Sequence, residues 1–536
     1  MSTALQDPAP TDSSRRRGAE LASRAGKGFY LKLVLMAVVD ALGLYGSFTL
    51  AGAHSWFAFG AMLIGLLIVN VVYFSPRWTA AKYLVPGLIF LLVYQIYTVL
   101  YSGVIAFTNY GDGHNSTKED AVAALLTQSE ARVPDSPQYP LTVAVQGDTI
   151  TFLVVNPQTK KAQIGSADSP LADAPEATVG GGRVTAMPGL TVLKLVDILK
   201  RGQGFQNLVS QLRVPISENP ADGSIRAAGA TNAFVFRSIL TFDPAADTIT
   251  NSKTKVVYTA SDHGNFTAPD GSVLQPGWKV GVGFENFTDV LSDRSVRGPF
   301  LGVLVWTFVF AILTVLGTFV IGLFLALVLN DNRMRGRRVY RSLLLLPYAF
   351  PAFLSALVWS GLLNRDFGWI NQVLLGGAQV NWLGDPWMAR LSVLIVNWWL
   401  GFPYMFLVAT GALQAIPADI TEAGAIDGAS PWQIFRRLKF PLLMVSLAPL
   451  LITSFAFNFN NFNTIYMLTG GGPKDLSASV DVGSTDILIT FVYKLAFGGV
   501  NRQYGLASAI SIIIFIVVAG ISAISFRRTR ALENLS

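Results

Sequence analysis

The sequence contains no cysteine and only three histidines in 536 residues. Without cysteine there is no disulfide and no thiolate zinc site, so any part of the chain outside a membrane must rest on its own core. Charge is scarce as well. Asp, Glu, Lys and Arg make up 14% of the chain, against about 25% in an ordinary soluble domain, which excludes a conventional soluble protein. The phosphate loop G-x-x-x-x-G-K-[ST] is missing. Ala25-Gly26-Lys27-Gly28 sets a lysine beside glycines but lacks the spacing and the hydroxyl. If ATP drives this protein, another chain binds it.

Apolar length is what the sequence has in abundance: 51% hydrophobic residues and a mean hydropathy of +0.46. Runs of about 20 apolar residues cross a bilayer as helices. Eight such runs occur, near 29–53, 56–75, 84–107, 299–329, 342–363, 391–413, 441–468 and 504–526. The net charge of +7 is no nucleic-acid signal, because the basic residues are confined to particular loops. Arg15, Arg16, Arg17, Arg24 and Lys27 precede the first run, and Arg77 and Lys82 follow the second. Arg333, Arg335, Arg337, Arg338 and Arg341 follow the fourth, Arg436, Arg437 and Lys439 follow the sixth, and Arg527, Arg528 and Arg530 follow the last. With eight alternating helices these loops share one side, which the positive-inside rule makes the cytoplasm. The first run is too long for a signal peptide, although Ala51-Gly52-Ala53 mimics a cleavage site, and it reads as an uncleaved anchor.

The expected fold class is therefore an α-helical polytopic membrane protein with eight transmembrane helices, N- and C-termini cytoplasmic, and one mixed α/β domain inserted between helices 3 and 4. The boundaries are a tail at 1–28, helices 1–3 at 29–107, the inserted external domain at 108–298, a core of helices 4–8 at 299–526 with a loop at 414–441, and a tail at 527–536. Within the insert, Thr142–Val145, a Gly147-Asp148 turn and Thr149–Phe152 alternate like a β-hairpin. Ala233–Phe236 and Lys255–Tyr258 read as further strands, Thr191–Leu199 as more helical, and Gly180–Gly182 as a loop. Only His114 and His263 fall in this region, with no nucleophile–base pattern. No catalytic residue, metal or cofactor is assigned to the chain. A docking surface is the reading preferred for the insert.

The loop at 414–441 is written as a rigid bracket. Pro417 suits a first helical turn and Gly428 the position past a helix end. Ser430 reads as an N-cap, with Pro431 behind it and Gln433 closing a capping box. Polar groups inside the apolar runs form three faces. Asn397, Gly401 and Tyr404 stand at i, i+4 and i+7 with Leu400 beside them; Phe457, Asn458 and Asn461 share another face; Tyr348, Ala352 and Ser355 make a third row near Pro347 and Pro351. Amides, hydroxyls and aromatic rings are the groups a neutral sugar needs. They also serve to bond helix to helix, at about 0.6 kcal/mol per contact, and periodicity alone leaves both readings open. Asp40 is the one deeply placed acid, open to an ion-coupling or a helix-pairing role.

The bracket resembles the E-A-A loop of the membrane subunits of bacterial ATP-driven importers. The match lies at Glu422-Ala423, Asp427-Gly428-Ala429 and Leu438-Lys439-Phe440-Pro441. Gly424 replaces an alanine of the usual form, Leu438 an isoleucine and Phe440 a leucine. From about the third apolar run onward the chain is similar to the larger permease subunit of bacterial maltose/maltodextrin importers. The segments that carry this are Ala106–Tyr110, Pro276–Trp278, Asn286–Thr288, Leu346–Ala349, Asn397–Tyr404, Ser454–Phe462, Gly471–Pro473 and Tyr504–Ala507. The resemblance implies a sugar-contacting set at Tyr348, Asn397, Leu400, Gly401, Tyr404, Phe457 and Asn458, with Ala352 where the family has a serine. It implies an ATPase-coupling set at Glu422, Ala423, Asp427, Gly428, Ala429 and Pro441. It also implies partners: a second permease subunit, a homodimeric cytoplasmic ATPase that holds the ATP and Mg, a periplasmic maltodextrin-binding protein and the lipid bilayer, with no nucleic acid. Against this stand an ion-coupled secondary transporter, which has no use for a docking bracket, and a glycan-cleaving membrane enzyme, which needs two placed carboxylates or a metal.

Overall fold

The computed structural model describes residues 27–330, 334–499 and 502–533. Arg15, Arg16, Arg17, Arg24 and Arg333, and most of the expected tail at 1–28, lie outside the described residues. The chain forms two compact units, divided after Tyr101.

The first unit holds α1 (Lys27–Gly52), α2 (Trp56–Phe74) and most of α3 (Thr79–Ala106). Each is apolar all round, as expected of a helix whose surroundings are lipid. Asp40 on α1 accepts a hydrogen bond from Asn70 Nδ2 on α2 at 2.7 Å, and Gly43 lets Leu66 pack against the α1 backbone. Of the two roles open to Asp40, the structure displays helix pairing.

In the second unit the inserted region is β-dominated, not an even α/β mixture. Its larger sheet is antiparallel in the order Ala172–Asp173, Ala162–Ser166, Thr149–Val155, Tyr139–Gln146, Asn232–Ser238, Ser224–Ala227, Arg213–Pro215. The alternation of the central hairpin buries both of its faces. Val143, Phe152 and Val154 enter one core, while Ala144, Leu153 and Val155 enter another. A smaller sheet, Leu240–Asp243, Thr248–Asn251, Val257–Ala260 and Phe266–Thr267, packs on α4 (Lys118–Gln128) through Leu125, Ile249, Phe266 and Trp278. Two local expectations shift. Thr191–Leu193 is a strand, and helix α5 begins at Leu195 and ends at Lys200, followed by α6 (Gly202–Gln211). Lys255 takes a positive φ of 60°, which delays its strand to Val257.

Several of the sequence blocks behind the family resemblance meet where the insert joins the helices. Asn109 Nδ2 donates to His263 O and Trp278 O, and its Oδ1 accepts from Val280 N. Asn286, on α7 (Glu285–Ser292), donates to Ala106 O and Thr108 O. A side chain at Gly505 would collide with Thr108 O. Both histidines of this region are hydrogen-bonded here, His114 to Asn265 and His263 to Glu285.

The helical core has α8 (Arg294–Val328), α9 (Arg337–Leu344), α10 (Leu346–Ala349), α11 (Ala352–Leu362), α12 (Pro386–Gln414), α13 (Ala418–Ile426), α14 (Pro431–Phe459), α15 (Phe462–Thr469), α16 (Leu488–Phe497) and α17 (Tyr504–Glu533). Seven helices among the described residues are long and apolar enough to cross a membrane. The run at 342–363 is not one of them. Phe350, before Pro351, is extended at φ −93° and ψ 141° and parts α10 from α11, while α9 has already ended at Leu344, before Leu345. The run at 441–468 also breaks, at Asn460 and Asn461, where the Asn461 side chain caps α15 by accepting from Thr464 N. The segment after 470 holds a short helix that the periodicity gave no sign of, α16. Buried Asp486 fastens it, accepting from Gly483 N, Thr490 Oγ1 and Lys494 Nζ at 2.7–2.8 Å.

Glu130 is the buried charge that ties the larger sheet together. Its side chain is fully buried and pairs with Arg213 at 2.8 Å and Arg226 at 2.7 Å. Removing one partner of a buried pair strands the other, at about 3–5 kcal/mol. Glu130→Ala should therefore speed tryptic cleavage within 130–270 of the full chain while the helical core stays protected. Cleavage at the wild-type rate would contradict this role.

Candidate functional site

A cavity of about 490 Å³ lies among α8, α10, α11, α12, α14 and α15. All seven residues of the expected sugar-contacting set line it: Tyr348, Asn397, Leu400, Gly401, Tyr404, Phe457 and Asn458, together with Ala352. They reach it by different local routes. Asn397, Gly401 and Tyr404 come from one face of unbroken α12, as helical spacing requires. Tyr348 comes from α10 and Ala352 from the first turn of α11, brought to the same wall by the proline break, while Ser355 is buried and does not line the cavity. Asn461 enters as the cap of α15 and not as a member of the α14 face.

The amides form a chain across the helices. Asn461 Nδ2 donates to Asn397 Oδ1 at 2.8 Å and approaches Asn458 Oδ1 at 3.5 Å. Asn397 Nδ2 donates to Val393 O and Asn458 Nδ2 to Ser454 O, each at 2.8 Å. Asn397 is 4% exposed, so much of its bonding capacity is spent on helix contacts. These asparagines thus join helices and present amide edges to a cavity. Tyr348 and Phe457 supply broad aromatic surface, 61% and 72% exposed.

Gly401 has a second task beyond opening space for a ligand. A Cβ there would stand 2.7 Å from Thr318 Cγ2 on α8, closer than packing tolerates. Gly322 likewise meets Met405, at 2.7 Å, and Gly317 meets the Trp398 ring. Small residues let α8 and α12 approach closely, a common device between membrane helices.

Sequence spacing missed the contribution of α8. Thr314 and Thr318 line the cavity, as do Thr453 and Ser454. Threonines in this chain usually donate back into their own helix: Thr307 to Val303 O, Thr318 to Thr314 O, Thr410 to Phe406 O and Thr453 to Pro449 O. Thr314 is different. It is 2% exposed and its hydroxyl has no partner among the described residues. A buried hydroxyl left unmet costs about 1–3 kcal/mol, so a ligand or water that met it would be held there. No charged side chain lines this cavity. It offers amides, hydroxyls and aromatic faces, groups that can bind a neutral polyhydroxylated molecule.

The bracket forms as its spacing predicts. Pro417 stands at the N-cap of α13, one position earlier than expected, and Gly428 follows its end with a φ of 79°. The Ser430–Gln433 capping box is complete, with Ser430 N donating to Gln433 Oε1 at 2.8 Å. Gly424 is buried, and a Cβ there would meet Leu438 at 2.9 Å and Ile434 at 3.3 Å. The glycine that replaces the family's alanine thus brings α13 tightly onto α14. The second bracket helix is not a separate element: from Pro431 it continues through a π turn at Phe435–Lys439 to Phe459. Glu422, Ala423, Asp427, Gly428 and Pro441 remain exposed on this bracket, and Ala429 is partly so.

Comparison with known proteins agrees with this layout. Residues 299–532 match the family described as the binding-protein-dependent transport system inner membrane component. Residues 89–168 match the N-terminal part of the transmembrane subunit of such transporters. The maltose/maltodextrin transport system permease protein MalF of Vibrio vulnificus (strain YJ016) is 36% identical over 548 aligned positions, covering 99% of this chain and 100% of that protein. MalF of Escherichia coli (strain K12) is 34% identical over 509, covering 92% and 96%. A crystal structure of a bacterial ABC transporter that imports the acidic polysaccharide alginate aligns at 23% identity and a TM-score of 0.41, over 46% of this chain and 84% of its own. With its bracket, its helical core and this identity over nearly its full length, the chain belongs to the MalF family of permease subunits of binding-protein-dependent ABC importers.

Proposed function

We propose that this permease subunit of a sugar ABC importer passes maltose and maltodextrins through the cavity at Asn397, Gly401 and Asn458 by alternating access. The observation that carries the reading is the lining of that cavity: asparagines, threonines, tyrosines and an exposed phenylalanine, with no ionised group. Sugar hydroxyls pair with the amides, with Tyr404 and with Thr314, while the C–H face of a pyranose ring stacks on Phe457 or Tyr348. Ala352 removes one hydroxyl from the wall. The unmet hydroxyl of Thr314, across the cavity on α8, offers another.

The chain is a transport component, and ATP hydrolysis belongs to a separate ATPase. We assign ATP and Mg to a homodimeric partner on the cytoplasmic face, and no cofactor to this chain. The bracket is its docking element: Ile426 and Trp432 are 85% and 65% exposed there, beside Arg436 and Arg437. Because the bracket's second helix is also the wall that carries Phe457 and Asn458, closure of the ATPase turns that wall directly. A second, similar permease subunit completes the path. The insert faces the periplasm and helps to hold a maltodextrin-binding protein. The topology is eight crossings of the cytoplasmic membrane, with α9–α11 as the broken one and both termini in the cytoplasm.

Two outcomes test the site. Gly401→Leu blocks sugar uptake, by filling the cavity and by forcing α8 away. Thr314→Val, close in volume, weakens uptake as Asn458→Ala does, by roughly 1–3 kcal/mol per lost partner. Radiolabelled maltose uptake and ATPase activity, measured together in proteoliposomes of the full transporter, separate transport from assembly. Wild-type uptake by the Thr314 and Asn458 variants places the sugar elsewhere.

The bracket is tested by Gly428→Pro, which denies the positive φ, and by Glu422→Lys. Both leave the subunit in the membrane and loosen its hold on the ATPase. Unaltered sugar-stimulated ATP hydrolysis in both would remove the bracket from the coupling path.

A further inference from the structure

A second cavity, of about 850 Å³, opens between the first turns of α8 and α12 and the loop from Pro473 to Ser484, and shares no lining residue with the sugar cavity. Arg390, on the second turn of α12, is built into its wall. The guanidinium lies over the rings of Trp306, at 5.0 Å, and Trp387, at 5.2 Å, and its Nε donates to Ser484 O at 2.8 Å. Two aromatic faces and a carbonyl fix the group without neutralising it. Among the described residues Arg390 forms no ion pair, and the acids around it are engaged. Asp385 caps α12 through Trp387 N and Met388 N. Asp475 accepts from Ser477 N and Oγ. Asp486 pairs with Lys494 at 2.7 Å.

Ser484 brings a second unmet group. Its hydroxyl oxygen is buried and has no hydrogen-bond partner among the described residues. One residue therefore joins a rigid, unpaired guanidinium and an unsatisfied hydroxyl in the same cavity. Among the described residues, Arg294, also without an ion pair, adds positive charge to the lining, while Lys474 is offset by Asp481 at 3.0 Å and Asp475 is the one acid that lines the cavity. This is the equipment for an anion with several acceptor oxygens: a guanidinium fork takes two of them and a hydroxyl donates to a third.

The surroundings favour one source of that anion. Trp387 is 74% exposed, and Leu301 and Val305, near the start of α8, are 45% and 61% exposed. Exposed tryptophan beside arginine at the end of an apolar helix is the composition of a membrane–water boundary. The geometry points to a phospholipid headgroup site, with the phosphodiester held by Arg390 and Ser484, on the membrane face that carries the inserted domain. The acyl chains lie along the exposed apolar side of α8, and Arg294 screens the headgroup charge.

The test uses the assembled transporter, purified in detergent, stripped of lipid and exposed to phosphatidylglycerol, with bound lipid counted by native mass spectrometry. Wild type retains a lipid that Arg390→Gln and Ser484→Ala hold roughly tenfold more weakly, the loss of a charge-assisted or a neutral hydrogen bond. Where Arg390→Gln fails to assemble, Arg294→Gln, on the exposed rim, gives the same direction of change, with ATPase activity as the control for assembly. Retention equal to wild type in every variant overturns the site. Inorganic phosphate is the second arm: loss of the bound lipid when millimolar phosphate is added assigns the pocket to a free anion and overturns the lipid reading. A wild-type transporter that binds no lipid at this position means that a partner's acidic side chain fills it, and the proposal falls.

Discussion

The close approach of α8 to α12 is the contact on which the rest of the core depends. Three glycines permit it: Gly317 under the Trp398 ring, Gly322 against Met405, and Gly401 against Thr318. In a bilayer the hydrophobic effect does not drive helices together, so such packing must come from shape and from hydrogen bonds. Trp398 contributes one, donating to Leu313 O on α8 at 2.9 Å. With the two helices seated in this way, the Asn397 face of α12 and the Thr314 face of α8 border the same cavity. A larger residue at Gly401 thus disturbs the wall as well as the space inside it.

Opposite this pair stands the wall supplied by α14. The helix from Pro431 to Phe459 starts in the bracket and ends beside Phe457 and Asn458, so a force applied to the bracket needs no intermediary to reach the cavity. Asn461 marks where that continuity stops. The helix closes on Asn460, and the Asn461 side chain caps the next helix and reaches Asn397 on α12. A rotation of α14 must either break that amide contact or carry it along. The placement of polar groups at the break also answers a general demand, since backbone groups freed inside a membrane must find partners within the protein.

Much of this was legible in the sequence wherever one helix or one local motif carried the signal. The Asn397, Gly401 and Tyr404 face follows from helical spacing, and the bracket follows from Pro417, Gly428, Ser430 and Gln433, each residue suited to one position of a helix end. The legibility failed where the helices break. Pro347 and Pro351 were visible, yet the run around them read as one crossing when Phe350 is in fact extended. Asn461 was assigned to the α14 face by periodicity, although it reaches the cavity as a cap. Thr314 gave no signal at all, because a threonine in an apolar run normally satisfies itself within its own helix. Helix α16 was hidden for a different reason: its ten residues are too few to register as a crossing, and its anchor, Asp486, depends on Gly483 and Lys494 folding back around it.

In this mechanism bracket and cavity wall move as one body, and the π turn at Phe435–Lys439 is the place where they would part. A cysteine-free chain can be spin-labelled at two introduced cysteines without further change. Labels at Trp432 and Thr453 lie on either side of that turn, roughly 30 Å apart along a helix. Pulsed dipolar spectroscopy of the assembled transporter, with and without ATP and binding protein, measures that distance in each state. A single narrow distance that stays constant, while the distance from Thr453 to a label on α12 changes, is the result predicted. A Trp432–Thr453 distance that shifts with ATP would make the π turn a hinge and contradict direct transmission from the bracket to the cavity.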